Sequence, residues 1–335
     1  MRSLNMLNLS VIIVSWNARE YLLECLRSLA HARTRLSMEI LVVDNASSDG
    51  SPEAVQREFS HVKLIPNHAN LGFAKANNIG VQQSAGRYLV FANSDVNVLP
   101  GCIDEMHDYL EKHPSIGMLG PKILNPDLRL QLSCRKFPDL WNLLSRSLGL
   151  DIVFPRITYH SHRGGVRKVD VLSGCFWMVR RAALPQVGLL DENFFMYAED
   201  IDWCKRFWDA GWEVVYFPEV GVIHYGGASS SHAPARFYLE MQRANWHYWK
   251  KHHGWPARSG FLFISLLHHI IRILRGMVLY LLRPPAKQEM KLKIKRSVAC
   301  VGWLLSVPGM APKTGLLKKP TNAGLYQWGF SIRGE

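Results

Sequence analysis

The sequence lacks the common loops of nucleotide and hydrolytic chemistry. No GxGxxG follows the first apolar run and no GxxxxGK[ST] occurs, so a dinucleotide dehydrogenase and a P-loop NTPase are both without their phosphate cradle. GxSxG and HExxH are absent too, which removes the hydrolase elbow and the helical zinc-protease site. The six cysteines (Cys25, Cys102, Cys134, Cys175, Cys204, Cys300) form no CxxC pair. That spacing excludes a zinc ribbon and a small disulfide scaffold, and reads as buried thiols in a reducing compartment. The N-terminus has no long apolar run with a cleavage site, so no signal peptide is expected. Charged residues make up only 20% against 48% hydrophobic, which supports a packed core and excludes general disorder.

Acidic residues are scarce at one end. From residue 256 onward there are 13 Lys/Arg and 2 Asp/Glu, whereas the whole chain has 40 and 27. A nearly neutral body thus carries a strongly basic tail, which seeks an anionic membrane or nucleic acid. In FLFISLLHHIIRILRGMVLYLL (261–282), Ser265, His268, His269, Arg272, Arg275 and Gly276 fall on one stripe. At about 100° per residue that stripe is roughly 120° wide. Two arginines and two histidines make spanning costly, so the pattern suggests a helix lying in the headgroup plane. Arg283, Lys287, Lys291, Lys293, Lys295 and Arg296 follow, and VACVGWLLSV (298–307) reads as a second interfacial helix. Packing on the body or on a second subunit is the competing reading. No aromatic-interleaved basic sheet or recognition helix is present, so nucleic acid is not an expected partner.

The body alternates. LSVIIV (9–14), EILVVD (39–44), VKLI (62–65) and RYLVFA (87–92) are short apolar runs suited to buried parallel strands. Helical patterns occupy 20–29, 52–59 and the stretch from Asn70 to about Ser84. The expected core is α/β, a mainly parallel sheet with helices on both faces. Ligands of such sheets sit at the carboxyl ends of strands, where Asn17, Asp44, Asn45 and Asp95 should gather. Further strands are expected at 169–174, 176–179, 213–217 and 220–224, with a helix reaching about Ala210. Residues 129–168 show no period and read as a long functional loop or a partly mobile segment.

Asp44 suits the imide N–H of a pyrimidine base, with Asn17 on its other edge. Asp95 suits a divalent cation that neutralises a diphosphate. Standing alone, Asp44 and Asn45 are as often loop caps, and Asp95 is more often a turn residue than a ligand. Glu199, Asp200 and Asp202 open a helix as three carboxylates in four residues, a setting for a base held among like charges or for simple capping. His224 reads as structural or as a metal ligand.

In order, LSVIIVSWN, ILVVDNASSDGS, NLGFAKANNIG, YLVFANSDV, FFMYAEDIDWCKRFWDAGW and VIHYGG resemble the family-2 glycosyltransferases, most of all the bacterial rhamnosyltransferase-like subgroup. The resemblance runs over residues 9–227, about two thirds of the chain. It implies the GT-A fold, a nucleotide-diphospho-sugar transferase sandwich. It also implies inversion at the anomeric carbon, dependence on Mg²⁺ or Mn²⁺, and a UDP- or dTDP-linked donor. On this resemblance Asp44 is the base-binding aspartate and Asn93-Ser94-Asp95 stands at the DxD metal motif, with Asn93 departing from it. Asp200 is the general base, and His224 completes the metal site with Asp95. Ser15, Trp16, Asn17, Asn45, Asn70, Gly72, Phe73 and Asn77 fall in the donor-side motifs. Glu199, Asp202 and Trp177 fall on the acceptor side. The basic tail then implies a glycan or polyprenyl-diphosphate-linked acceptor and a cytoplasmic protein peripheral to the inner face of the cell membrane. Three segments are expected: a catalytic domain (1–230), a connecting helix (231–255) and a membrane-associating segment (256–335). A catalytically silent sugar-nucleotide- or glycan-binding protein is the alternative, with Asn93 as its mark. A soluble nucleotidyltransferase would want a basic, Gly-rich loop where Ser15-Trp16-Asn17 stands.

Overall fold

A computed structural model describes residues 7–32, 34–154, 159–160, 164–227, 234–282 and 287–307. The N-terminal hexapeptide, Arg283 and the basic residues beyond 307 lie outside the described residues. Two compact units emerge, 1–264 and 265–335.

The first unit opens with β1 (Leu9–Ser15), α1 (Arg19–His31), β2 (Met38–Asp44), α2 (Ser51–Glu58), β3 (Lys63–Pro66), α3 (Phe73–Gln82) and β4 (Tyr88–Asn93). β1 lies parallel between β2 and β4, and β3 lies parallel beside β2. Both faces of β1 are covered, which is why its run is apolar without alternation. Val11 and Ile13 join the cluster of Leu22 and Leu26 from α1. Ile12 faces α3, so closely that a Cβ on Gly80 would sit 2.4 Å from its Cγ2.

Next come β5 (Val96–Val98), α4 (Cys102–Lys112), β6 (Ile116–Leu124), β7 (Cys134–Arg135), α5 (Leu140–Ser147), α6 (Leu150–Val153), β8 (Arg167–Lys168), β9 (Val171–Leu172) and β10 (Phe176–Arg180). The unit continues with α7 (Leu184–Val187), α8 (Glu199–Asp209), β11 (Glu213–His224) and α9 (Pro234–His252). The main sheet runs β3-β2-β1-β4-β10-β6-β11-β5, with β8 paired to β11. β10 is antiparallel to both β4 and β6, and β6 is parallel to β11. β1, β2, β4, β6 and β11 therefore all point the same way, and their carboxyl ends share one edge.

Several sequence expectations change. The strands expected at 213–217 and 220–224 are one strand, because β11 carries its Pro218 through a register shift between Phe217 and Gly221 rather than through a turn. The strand expected at 169–174 shrinks to Val171–Leu172 and pairs off the main sheet with β7. The helix expected from Asn70 starts at Phe73, since the Asn70 side chain accepts from Gly72 N and holds a turn before it. Residues 129–168 are not featureless: they contain β7, α5, α6 and β8. α5 begins at a capping box of Asp139 and Asn142.

α10 (Trp255–Leu282) runs across the unit boundary, and α11 (Lys287–Ser306) lies in the second unit. α10 is long and apolar enough to cross a membrane, with a mean hydropathy of 1.6 over an 18-residue window. Half of its stripe is buried: Ser265, His269 and Gly276 are covered, and a Cβ on Gly276 would meet Ile294 of α11 at 2.9 Å, while His268 and Arg272 are half-buried and Arg275 is exposed. Phe263, Leu267, Ile270, Leu274, Val278 and Leu281 are exposed instead. The second helix starts well before the expected Val298, so Lys291 and Lys295 stand exposed on a helix rather than on a linker.

Candidate functional site

The loops after β1 and β2 are laced together. Asn17 adopts a positive φ of 48°. Its backbone N donates to Ser47 Oγ at 2.9 Å, and its side-chain oxygen accepts from Ser48 N at 2.8 Å. Ser15 and Asp44 are register partners at the two strand ends. Asp44 is buried and its Oδ2 accepts from Ser47 N. Its Oδ1 and the Ser15 hydroxyl have no hydrogen-bond partner among the described residues. Such a pair of buried orphans is costly unless a ligand meets it. Trp16 stands beside Phe237 of α9, with ring centroids 6.2 Å apart.

Asn45 links the loop after β2 to the chain before α3. Its amide donates to Gly72 O and its oxygen accepts from Asn67. Gly72 then meets the chain before α8: Phe73 N donates to Phe195 O at 2.7 Å, and a Cβ on Gly72 would stand 2.3 Å from that oxygen. Asn77 is buried and turns its amide back to Phe73 O. The unremarked neighbour Asn78 does the bridging, with hydrogen bonds to Leu190 N, Leu190 O and Glu192.

At the end of β4, Asn93 N donates to Cys175 O, so the antiparallel β10 starts on the same edge. Ser94 and Asp95 are buried. Asp95 Oδ1 lies 3.4 Å from His224 Nε2, and Asp95 O accepts from Tyr225 N. His224 Nδ1 lies 2.7 Å from Gln131 Oε1, and the Gln131 amide donates to Asn125 Oδ1. With its amide so oriented, Gln131 accepts from Nδ1–H, so Nε2 faces the Asp95 carboxylate and is an acceptor whenever it carries no proton. A cation between those two acceptors satisfies both, with Gln131 fixing the tautomer behind the ring. No group of three His, Cys, Asp or Glu side chains forms a metal cage among the described residues, so an ion there needs further oxygens from a ligand. Burial, then the charge of Asp95, pushes the thiols of Cys25 and Cys175 up to about 12, so both are inert.

α8 starts after two strained residues, Tyr197 (φ 72°) and Ala198 (φ 60°). Asp200 accepts from Ile201 N at 2.8 Å and from Gly174 N at 3.3 Å, and is ion-paired with Arg135 of β7. Glu199 is held a weaker acid than usual: burial, then the charge of Asp200, lifts its carboxyl pKa to about 8. Its Oε2 has no partner among the described residues. Asp202 is fully buried and held by His252 Nε2 (2.7 Å), Lys251 Nζ (2.8 Å) and Arg206 Nε (2.9 Å). Burial alone would raise its carboxyl, but those partners hold it below the usual range. Trp177 is buried against Phe91 and Trp203, and its ring lies beside Gly174. The edge thus collects Ser15, Asn17, Asp44, Asp95, His224 and Asp200, while Asp202 ties α8 to α9. Sequence reasoning missed Gln131, Arg135 and Asn78.

The sequence matches the profile described as "Glycosyl transferase family 2" over residues 10–188. An N-acetylglucosaminyl-diphospho-decaprenol L-rhamnosyltransferase of Mycobacterium tuberculosis is 34% identical over 265 residues, covering 74% of this chain and 86% of the relative. A dTDP-rhamnosyl transferase of Shigella flexneri is 24% identical, covering 71% and 78%. Among solved structures, a mannosyltransferase from Pyrobaculum calidifontis in complex with GDP-Man and Mn²⁺ has the same fold. Its TM-score is 0.52 at 16% identity, over 90% of this chain and 88% of that one.

Proposed function

The chain belongs to glycosyl transferase family 2, with the GT-A fold, and from that premise we propose an inverting transfer of rhamnose. The donor is a pyrimidine nucleotide diphospho-sugar, and the acceptor is a lipid-diphosphate-linked glycan of the cell envelope. The names of the two transferases above support both the sugar and the acceptor.

The observation that carries the donor reading is the pair of buried orphans at the edge, Asp44 Oδ1 and Ser15 Oγ. An imide N–H of thymine or uracil is the donor that Asp44 lacks. Asp95 and His224 fit a divalent cation, Mg²⁺ or Mn²⁺, as the remaining ligands of a diphosphate-bound ion. Such an ion neutralises the diphosphate and makes it a better leaving group. Asp200 takes the proton of the acceptor hydroxyl. The acceptor oxygen bonds to the anomeric carbon from the face opposite the nucleotide, and the bond to the diphosphate breaks with its electrons. The transition state is oxocarbenium-like. The basic second unit, with its apolar face outward, supports a cytoplasmic enzyme resting on the inner face of the membrane.

Calorimetry with dTDP and UDP, with and without Mn²⁺, tests the donor site. Wild type binds one of them in a metal-dependent way. Asp95→Ala loses the metal dependence, and Gln131→Ala weakens metal affinity by about 10–100-fold. Equal binding with and without Mn²⁺ in all three proteins contradicts the reading.

A further inference from the structure

Asp200 does not stand bare. Oδ1 accepts from Ile201 N, and Oδ2 accepts from Gly174 N and from the Arg135 guanidinium. Oδ2 thus carries two donors and Oδ1 one, and a cation is paired with the carboxylate assigned as base. Arg135 is the more accessible partner, 28% exposed against 10% for Asp200. It comes from β7, whose strand pairing is with β9 rather than with the main sheet. Its Nε has no hydrogen-bond partner among the described residues. The part-exposed guanidinium has the planar fork that binds phosphate oxygens, and its buried Nε is a further donor left unmet among the described residues.

We propose that Arg135 gates the base: without acceptor it caps Asp200, and the diphosphate of the bound acceptor draws the guanidinium away and frees the carboxylate. The gate rests on the assignment of Asp200 as base. A diphosphate offers the guanidinium more negative charge than one carboxylate, so the exchange runs toward the acceptor. Glu199, held neutral near pH 7 by its burial and by Asp200, adds no second charge to retain Arg135. With the gate open, the acceptor O–H gives its proton to Asp200, its oxygen bonds to the anomeric carbon, and the nucleoside diphosphate leaves with the electron pair. Water in place of the acceptor would make and break the equivalent bonds and waste the donor as free sugar. Capping Asp200 suppresses that hydrolysis until an acceptor is present.

The test uses the full chain at pH 7, where Glu199 holds its proton, with Mn²⁺ and dTDP-rhamnose, following released dTDP. Three conditions are compared: no acceptor, a short-lipid N-acetylglucosaminyl diphosphate, and octyl N-acetylglucosaminide without diphosphate. Wild type hydrolyses donor slowly, and its kcat as well as its KM favours the diphosphate acceptor. Arg135→Gln raises acceptor-free hydrolysis by about ten- to a hundredfold, the worth of one charge-assisted hydrogen bond, and loses the preference to a similar extent. Unchanged or slower hydrolysis in a variant with a wild-type melting transition overturns the gate. So does fast hydrolysis by wild type, which would mean the donor alone releases Arg135. If Arg135→Gln does not fold, equal kcat on the two acceptors in wild type overturns it. Asp200→Asn, run alongside, separates the two ideas: an active Asp200→Asn removes the base assignment itself, whereas an inactive one beside a silent Arg135→Gln removes only the gate.

Discussion

At the residue scale, Asp44, Asp95, Asp200 and His224 were legible in the sequence because each stands at the end of an apolar run or opens a helix, where a parallel sheet places its ligands. Gln131, Arg135 and Asn78 were not. They meet their partners across 93, 65 and 112 to 114 positions, and the first two come from a stretch without period. The sequence set Asp200 apart as base and put Glu199 and Asp202 together on the acceptor side, where packing separates all three: a buried Glu199 with a raised carboxyl pKa, an arginine-capped Asp200 and a triply held Asp202. That division has a measurable sign. Glu199 is raised from 4.5 to about 8 in the fold, so the folded state holds a proton there that the unfolded state has lost. Its contribution to stability is full below about pH 4.5 and is lost as pH rises toward 8. Melting temperatures from pH 5 to 9 should therefore fall more steeply in wild type than in Glu199→Gln. Parallel curves would mean Glu199 is ionised throughout.

At the element scale, the first four strands and three helices followed from apolar runs and helical spacing. β6 was missed because Gly117, Gly120 and Pro121 break its run. The glycines are forced by packing, since a Cβ on Gly117 would sit 2.7 Å from the Phe207 ring and one on Gly120 would sit 2.9 Å from Leu172. Gly72 shows the same logic at the site. With φ 85° and ψ 179° it occupies backbone space open essentially to glycine alone, against the Phe195 carbonyl. Gly72→Ala should cost about 1–3 kcal/mol in strain and push the 194–198 segment, which leads into α8, away from the start of α3. A lower melting temperature together with reduced turnover is the expected result, and wild-type values for both would show that the contact is slack.

At the scale of the whole molecule, the basic tail was visible in composition, but the orientation of its stripe was not. α10 buries Ser265 and His269 and exposes leucine, isoleucine and valine, the reverse of a helix on a water-soluble body. An outward apolar face beside exposed Lys291 and Lys295 is suited to an anionic bilayer surface. Each lysine near such a surface is worth about 1 kcal/mol, so Lys291→Gln with Lys295→Gln should weaken partitioning to phosphatidylglycerol vesicles by roughly thirtyfold. Neutral vesicles should show little difference. Equal loss on both would assign the lysines to folding instead of to the membrane.

The central claim is that Asp200 is the base of a sugar transfer. The most direct measurement is the turnover of Asp200→Asn with dTDP-rhamnose, Mn²⁺ and the lipid-diphosphate acceptor, beside its affinity for dTDP. The account predicts a loss of about 10²–10⁴ in kcat with nucleotide affinity unchanged. Wild-type turnover in Asp200→Asn would contradict it.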